Sequence, residues 1–431
     1  MKKKFIQSSI ILLIGGFLTK LLGMIIKITI VRNIKEEGLG LYMLILPTFM
    51  LLINISQFGF PLSLSKLVSE EKNNNKKLYL SIFPIIVGIN LLLILTILLL
   101  APFISNNLLH NEDTYLSILA ISFVIPFTSI SSICRSYFFG KNKMFPHVLS
   151  NITEDIVRLF IISLFIKKVI PLGLPIVTAF LVGSNVISEI SSTLVLLFFL
   201  PRNITFKKSD FIPNRGYIKD NLEIAIPATS SRLIGSFTYF LEPIILTSTL
   251  LKVGYPKSYI LKEYGILSGT VIPLILLPSF FTNSISQALL PTLSKQYQER
   301  NKKNIKKLLS LAIISSLGIS ILATIILINC PSLLLDAIYH TKEGVDYIKV
   351  LAPICILQYI ESPLSITLDA FGKTKENLKI SIINLVIRTL LLYLLSLLKI
   401  GIYSLILTIS INIIITSIYL IKKVRKHLKN L

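Results

Sequence analysis

The fold class is decided by one uninterrupted apolar stretch: residues 78–101 read LYLSIFPIIVGINLLLILTILLLA, without a charged side chain. A run of about 20 apolar residues is long enough to cross the hydrocarbon core of a bilayer as an α-helix. A strand outside a closed barrel would leave its backbone polar groups unsatisfied in lipid. The stretch therefore predicts a transmembrane helix.

Similar segments occur throughout the 431-residue chain, in which 53% of the residues are hydrophobic. Only 15% are charged, against about 25% in an average soluble domain. This composition excludes a soluble enzyme, a secreted disulfide scaffold and a disordered chain. We predict an all-α polytopic membrane protein with twelve transmembrane helices, at residues 5–31, 38–64, 78–101, 115–137, 146–166, 174–200, 221–250, 265–291, 308–329, 347–368, 378–398 and 401–421.

The basic residues predict the orientation of these helices. The chain has 44 Lys and Arg against 21 Asp and Glu. Twelve helices place both termini on one side, and the predicted loops of that side hold 29 of the basic residues, against 9 in the opposite loops. By the positive-inside rule we expect a multi-pass plasma-membrane protein with both termini in the cytoplasm. The excess charge is then a topology signal that meets membrane lipid, and we expect no nucleic-acid partner.

An internal repeat divides the chain. The motif Pro61-Leu-Ser-Leu-Ser-Lys66 recurs as Pro291-Thr-Leu-Ser-Lys295, and three further motifs recur at a similar shift of 229 to 232 residues. We predict an N-terminal six-helix lobe at 1–200, a cytoplasmic linker at 201–220, and a C-terminal six-helix lobe with a basic tail at 221–431. An even number of helices gives both lobes the same orientation, a parallel-repeat plan with a substrate site between the lobes.

Charged side chains inside the predicted helices are the candidate functional residues, because each costs at least about 2.5–3.5 kcal/mol at the bilayer centre. Four cations at similar depth are predicted to bind substrate: Lys20, Arg158, Arg232 and Arg388. Five acids are predicted to couple an ion or to partner these charges: Glu154, Asp155, Glu189, Glu242 and Glu361.

Two interpretations of these charges remain open. The acids can neutralise the cations as pairs between or within helices, and Glu154 and Arg158 have the favourable i, i+4 spacing for such a pair. Alternatively, the cations line a water-filled cavity, which we favour. Such a cavity suits an anionic substrate such as a diphosphate, which Arg binds with two parallel hydrogen bonds.

Catalytic and cofactor motifs are not found in the sequence. It contains no P-loop, no His-Glu-x-x-His motif and no set of nucleophile and base residues placed for catalysis. We therefore expect a protein that is not an enzyme and that needs no metal or cofactor.

Several motifs carry a family resemblance over essentially the whole chain. They include Gly15-Gly-Phe-Leu-Thr-Lys20-Leu-Leu-Gly23, Glu37-Gly-Leu-Gly-Leu-Tyr42, and Tyr264-Gly-Ile-Leu-Ser-Gly269. The sequence resembles the stage V sporulation protein B family of oligosaccharide flippases. That family belongs to the multidrug, oligosaccharidyl-lipid and polysaccharide exporter superfamily, which also contains the lipid II flippases.

The resemblance implies a V-shaped, two-lobed, alternating-access transporter of a polyprenyl-diphosphate-linked saccharide, acting in cell-wall or spore-cortex assembly. It implies that Lys20 faces the central cavity, that Arg158 and Arg232 match basic positions of the family, and that cell-wall synthesis proteins are further partners. Twelve helices rather than fourteen, and no Arg in the second or eighth helix, leave alternatives open. One is a cation-coupled multidrug antiporter in which Glu154, Glu189 and Glu242 carry the coupling. Another is a non-transporting scaffold for wall synthesis.

Overall fold

The computed structural model describes residues 2–70, 75–200 and 213–429, and within these ranges the chain is helical and contains no strand. The sixteen α-helices in these ranges are α1 (Lys2–Asn33), α2 (Glu36–Gln57), α3 (Phe60–Ser69), α4 (Asn75–Phe103), α5 (Tyr115–Gly140), α6 (Met144–Val169), α7 (Leu174–Phe198), α8 (Arg215–Val253), α9 (Lys257–Ile266), α10 (Ile272–Leu276), α11 (Ser279–Gln298), α12 (Lys302–Asn329), α13 (Pro331–Tyr339), α14 (Val345–Ala370), α15 (Thr374–Ser396) and α16 (Tyr403–Lys429).

Eleven helical spans in the described ranges are long and apolar enough to cross a membrane. The 26-residue helix α6 is a twelfth by length, because at 1.5 Å per residue it is about 39 Å long. It differs from the other eleven in its charged cluster of Glu154, Asp155 and Arg158. All twelve predicted segments lie on helices, which confirms the predicted all-α polytopic class.

Two of the predicted segments are interrupted. The second segment breaks between α2 and α3, where Phe58 and Gly59 adopt positive φ angles of 43° and 66°. A side chain at Gly59 would place its Cβ 2.5 Å from the carbonyl oxygen of Ala225. The eighth segment contains a π-helical turn at Leu267–Val271 and ends the short helix α10 just before Pro278. Proline lacks the backbone N–H that a continuous helix requires, so α11 begins as a separate helix.

The chain folds into two compact units, Met1–Phe240 and Leu241–Leu431, called unit 1 and unit 2 below. The boundary between them falls within α8. Most of the predicted linker, residues 201–212, lies outside the described residues. The predicted lobe limits at 200 and 221 therefore remain predictions.

Unit 1 is organised around α5, which packs against α2, α3, α4 and α7, while α6 packs against α1 and α7. Small hydroxyl side chains are buried at these helix contacts. The Ser117 hydroxyl on α5 donates to Thr178 Oγ1 on α7 at 2.9 Å, and Ser129 donates to Asn90 Oδ1 on α4 at 3.1 Å. Small residues let membrane helices approach closely, and the hydroxyls join them by hydrogen bonds.

Unit 2 is organised around α14, which packs against α11, α12 and α16, while α15 packs against α16. One end of this bundle is fixed by an apolar core. Its buried members come from α11, α12, α14, α15, α16 and the residue that follows α14: Leu293, Ile305, Leu309, Leu364, Leu368, Ala370, Phe371, Ile380, Leu420, Val424 and Leu428.

Candidate functional site

An ion network joins three helices of unit 1. Arg135 on α5 forms an ion pair with Glu154 on α6, and its Nη2 lies 3.2 Å from Glu189 Oε2 on α7. The same nitrogen donates to Ser192 Oγ at 2.7 Å, and the Ser131 hydroxyl donates to Glu189. One guanidinium therefore compensates two carboxylates that are mostly buried between helices.

Sequence reasoning missed Arg135. It lies near the end of the predicted segment 115–137 and is not among the functional residues predicted from the sequence, whereas α5 continues to Gly140 and holds Arg135 inside the helix packing. One signal was available: Arg135 follows Ser131 by four residues, so both lie on one face of the helix. The contact of this face with Glu154 and Glu189 depends on tertiary packing, which a local sequence pattern does not predict.

Glu154 and Arg158, whose i, i+4 spacing allows an ion pair, make other contacts. Glu154 pairs with Arg135, and Arg158 Nη2 donates to the hydroxyl of Tyr42 on α2 at 3.2 Å. The Nε of Arg158 is buried without a hydrogen-bond partner. Asp155 is half-buried and makes no ion pair with a described residue. Arg158 thus keeps one buried donor unused, and Asp155 has no direct cationic partner among the described residues.

Lys20 and Arg232 are the two predicted substrate-binding cations whose side chains are exposed. Lys20 lies in the span Ile14–Asn33, and Arg232 lies in the part of α8 that belongs to unit 1. Neither side chain forms an ion pair with a described residue. A cation within a membrane span that has no protein counter-ion needs water or an anionic ligand beside it.

Arg388 is neutralised within unit 2. Its guanidinium on α15 forms an ion pair with Glu242 on α8, whose side chain is 3% exposed. The Nε of Arg388 is buried without a hydrogen-bond partner. This pair joins α8 to α15 within unit 2.

Glu361 on α14 has a different environment from Glu242, the other predicted acid of unit 2. Its Oε1 accepts a hydrogen bond from the Ser417 hydroxyl at 3.0 Å, and it makes no ion pair with a described residue. It lines a cavity of about 550 Å³ together with side chains from α10, α11, α14, α15 and α16, most of them polar: Leu276, Ser279, Thr282, Asn283, Gln358, Ser362, Ser365, Ile366, Asn377, Ile380, Ser381, Asn384, Thr416 and Leu420.

The internal repeat relates this cavity to the ion network of unit 1. A shift of 230 residues, which takes Arg158 to Arg388, also takes Arg135 to Ser365 and Glu154 to Asn384. It takes Ser131, which donates to a carboxylate on α7, to Glu361, which accepts from a hydroxyl on α16. Unit 1 therefore places a guanidinium at the position where unit 2 has a small serine beside an open polar cavity.

The helical architecture matches solved exporters. An inward-facing multidrug-resistance MATE family transporter of the MOP superfamily superposes with a TM-score of 0.77 at 16% identity, covering 96% of this chain and 95% of that one. A MOP superfamily transporter from Pyrococcus furiosus gives a TM-score of 0.59 at 16% identity, with coverages of 99% and 96%. The chain thus has the all-α, polytopic fold of MOP superfamily exporters, as predicted.

Within that class, the sequence identifies a family. The profile described as polysaccharide biosynthesis protein matches residues 5–297, and the MatE profile matches residues 237–395. The chain belongs to the polysaccharide biosynthesis protein family. This result confirms the resemblance drawn from the sequence motifs.

Curated relatives from Bacillus subtilis cover most of the chain. Stage V sporulation protein B is 30% identical over 405 residues, which are 92% of this chain and 78% of the relative. Sporulation protein YkvU is 26% identical over 86% of this chain and 84% of the relative. The lipid II flippase MurJ is 22% identical over 91% of this chain and 77% of the relative.

Proposed function

We propose that the protein is an alternating-access transporter, not an enzyme, that flips a polyprenyl-diphosphate-linked saccharide across the plasma membrane for cell-wall or spore-cortex assembly. The observation that carries this proposal is the pair of exposed, unpaired cations Lys20 and Arg232 inside membrane spans. The relationship to a lipid II flippase and to a stage V sporulation protein over most of the chain supports the same class of substrate.

The chemistry of these cations suits a diphosphate. A lipid-linked saccharide diphosphate carries its negative charge between an apolar tail and a polar sugar, and the charge must be compensated when it leaves water. Lys20 and Arg232 supply charge that no described carboxylate neutralises. Arg158 makes no ion pair with a described residue, whereas Arg388 is paired to Glu242. We propose that Lys20, Arg158 and Arg232 contact the headgroup and that Arg388 is a further substrate-binding cation in unit 2.

A translocation assay tests the proposed function. The purified protein is reconstituted into liposomes that contain a fluorescent polyprenyl-diphosphate saccharide, and a membrane-impermeant quencher reports the lipid in the outer leaflet. The proposal expects faster loss of protected fluorescence than in liposomes without protein. Equal rates with and without protein, under an imposed ion gradient of either direction, would contradict it.

A cation-coupled multidrug antiporter is the second candidate. The observation that favours it is Glu361, a carboxylate without a cationic partner in a polar cavity of about 550 Å³. In this candidate Glu361, and Asp155 in unit 1, exchange a coupling cation, whereas Glu154, Glu189 and Glu242 are held by arginines. The two candidate functions therefore differ in the charge of the substrate: the flippase moves an anion, and the antiporter moves an organic cation.

The variant Glu361→Gln separates these two candidates. It removes the charge but keeps the side-chain shape and the hydrogen bond from Ser417. If the protein is an antiporter, export of an organic cation such as ethidium from loaded liposomes should occur in the parent and fall in the variant. Absence of any organic-cation export in the parent, together with translocation of the saccharide lipid, would exclude this candidate. The exposed carboxylate Glu299 provides the matched control Glu299→Gln.

A further inference from the structure

One end of unit 2 carries a dense group of cations at the start of α12 and the end of α16. Six of them are exposed and make no ion pair with a described residue: Lys303, Lys306, Lys307, Lys422, Arg425 and Lys426. We call these six residues the basic end of unit 2. The described acids that pair nearby are engaged by other cations, Glu299 by Lys295 and Glu376 by Lys423 and His427. The charge of the basic end is therefore not neutralised within the described protein.

The basic end is held in a fixed geometry. Ile305 and Leu309 of α12 are buried in the same apolar core as Val424 and Leu428 of α16. The Lys302 ammonium donates to the backbone carbonyl of Lys429 at 3.3 Å, which joins the two helix ends directly. The packing of α12 against α16 thus keeps the cations of the basic end close together in spite of their mutual repulsion.

Helix length is consistent with the basic end lying at the depth of lipid headgroups. The 28 residues of α12 and the 27 of α16 correspond to about 42 and 40 Å of helix. The hydrocarbon core of a bilayer is only about 30 Å thick, so both helices exceed it by about two turns. The first turns of α12 and the last turns of α16 carry the six cations. The remaining residues of each helix form an apolar membrane span.

We propose that the basic end of unit 2 binds the phosphate headgroups of anionic phospholipids in the leaflet that it faces. A topology signal acts during insertion and requires only the presence of positive charge in a loop. The basic end holds unpaired cations in a fixed geometry at headgroup depth. It therefore also provides a permanent binding site, because each Lys or Arg near an anionic membrane surface is attracted to that surface. This inference goes beyond the proposed transport function and does not depend on it.

Lipid selectivity of the full-length protein tests the proposal. The protein is reconstituted into phosphatidylcholine vesicles with spin-labelled phosphatidylglycerol or spin-labelled phosphatidylcholine, and electron paramagnetic resonance gives the fraction of each label immobilised by protein. We expect phosphatidylglycerol to be preferred, and the preference to fall by about half or more in the variant Lys306→Gln/Lys422→Gln/Lys426→Gln. In the parent protein, high salt should screen the preference away, since the Debye length falls to about 3 Å at 1 M.

A matched control removes the same charge elsewhere in unit 2. Lys252, Lys257 and Lys342 are exposed and make no ion pair with a described residue. They lie in loops predicted on the opposite side of the membrane from the basic end. The variant Lys252→Gln/Lys257→Gln/Lys342→Gln should therefore keep the parent's lipid preference. Equal lipid preference in the two triple variants would overturn the proposal, and so would a parent preference that persists in high salt. The salt titration uses the unmodified chain and therefore stands even if the first variant inserts poorly.

Discussion

At the scale of single residues, charge compensation separates the buried acids into two kinds. Glu154, Glu189 and Glu242 are each held by an arginine, whereas Glu361 has a serine hydroxyl in place of a cation. A buried carboxylate that loses its partner is strongly destabilising, because the charge remains without solvent or counter-ion. Arg135 compensates two such carboxylates, so its substitution should be strongly destabilising.

Replacing this arginine should destabilise the fold. We expect Arg135→Gln to lower the free energy of unfolding by about 3–5 kcal/mol, since Glu154 and Glu189 both lose their cation. The double variant Arg135→Gln/Glu189→Gln should recover part of that loss, because one buried charge is removed with its partner. Denaturant unfolding of the purified protein in detergent measures both values.

The exposed residue Arg215 serves as the control for this substitution. Arg215→Gln removes the same charge from unit 1 and should change the free energy of unfolding by less than about 0.5 kcal/mol. If Arg135→Gln is no more harmful than Arg215→Gln, then the ion network does not stabilise unit 1. If the double variant is less stable than the single one, the carboxylate of Glu189 is not the source of the penalty.

The sequence predicts which charged residues are buried but not how they pair. Glu154 and Arg158 have ideal helical spacing, yet Glu154 pairs with Arg135, nineteen residues earlier. Arg388 pairs with Glu242 over a separation of 146 residues. Contacts of this kind depend on how helices pack, and no local pattern of a single sequence contains that information. Glu189 and Glu242 were nevertheless named as charge partners, because a carboxylate in a membrane helix needs a cation.

At the scale of elements, the break between α2 and α3 depends on one glycine. Gly59 has a φ of 66° and approaches the backbone of Ala225 too closely for a Cβ. Gly88 lies on α4, with nothing within 4 Å of an added Cβ. We expect Gly59→Ala to lower the free energy of unfolding by about 1–3 kcal/mol. Gly88→Ala should leave it unchanged or raise it by up to about 1 kcal/mol.

Thermal unfolding midpoints of the two glycine variants in detergent check this prediction. Because both substitutions add one methyl group to unit 1, a general effect of added volume would shift both midpoints alike. A lowered midpoint for Gly59→Ala alone supports the strained turn. Equal midpoints would show that the turn adapts to an L-residue without cost.

The charged helix α6 should cross the membrane although its composition differs from that of the other spans. In a variant without Cys134, Cys330 and Cys355, we introduce Lys143→Cys before α6 or Leu172→Cys after it, both at exposed positions. We expect an impermeant maleimide to label Leu172→Cys from outside the cell, and Lys143→Cys only after permeabilisation. Labelling of both from one side would show that α6 does not span.

The positions of the helices follow from the sequence much better than their interruptions do. Apolar length alone locates all twelve segments, because lipid allows only helices with closed backbone hydrogen bonding. The breaks at Gly59 and before Pro278 are harder to place, since glycine and proline also occur inside continuous helices such as α4 and α14. Only the close approach of Ala225 shows why Gly59 must turn.

At the scale of the whole molecule, the internal repeat gives two units in which equivalent positions carry different chemistry. Arg135 in unit 1 corresponds to Ser365 in unit 2, so one unit has a filled ion network and the other has a polar cavity. The sequence revealed the repeat through its nearly constant shift of about 230 residues. It did not reveal the difference, because the pairing of Arg135 with Glu154 and Glu189 depends on how three helices pack.

The proposed transport of a lipid-linked diphosphate depends on cations that form no ion pair with any residue the structure describes. Lys20 and Arg232 are such residues in unit 1, and both were named from the sequence as candidates. Their side chains are exposed within membrane spans, whereas Arg388 is held by Glu242. Removing the two free charges should therefore reduce transport without disturbing an ion pair of the fold.

The most direct measurement is the translocation rate of the fluorescent polyprenyl-diphosphate saccharide in liposomes that contain the variant Lys20→Gln/Arg232→Gln. Loss of one charge-assisted hydrogen bond costs about 1.5 kcal/mol or more, so we expect at least about a tenfold slower rate. The control Lys143→Gln, which removes an exposed cation outside the spans, should retain the parent rate. A double variant that inserts normally and flips the lipid as fast as the parent would contradict the account.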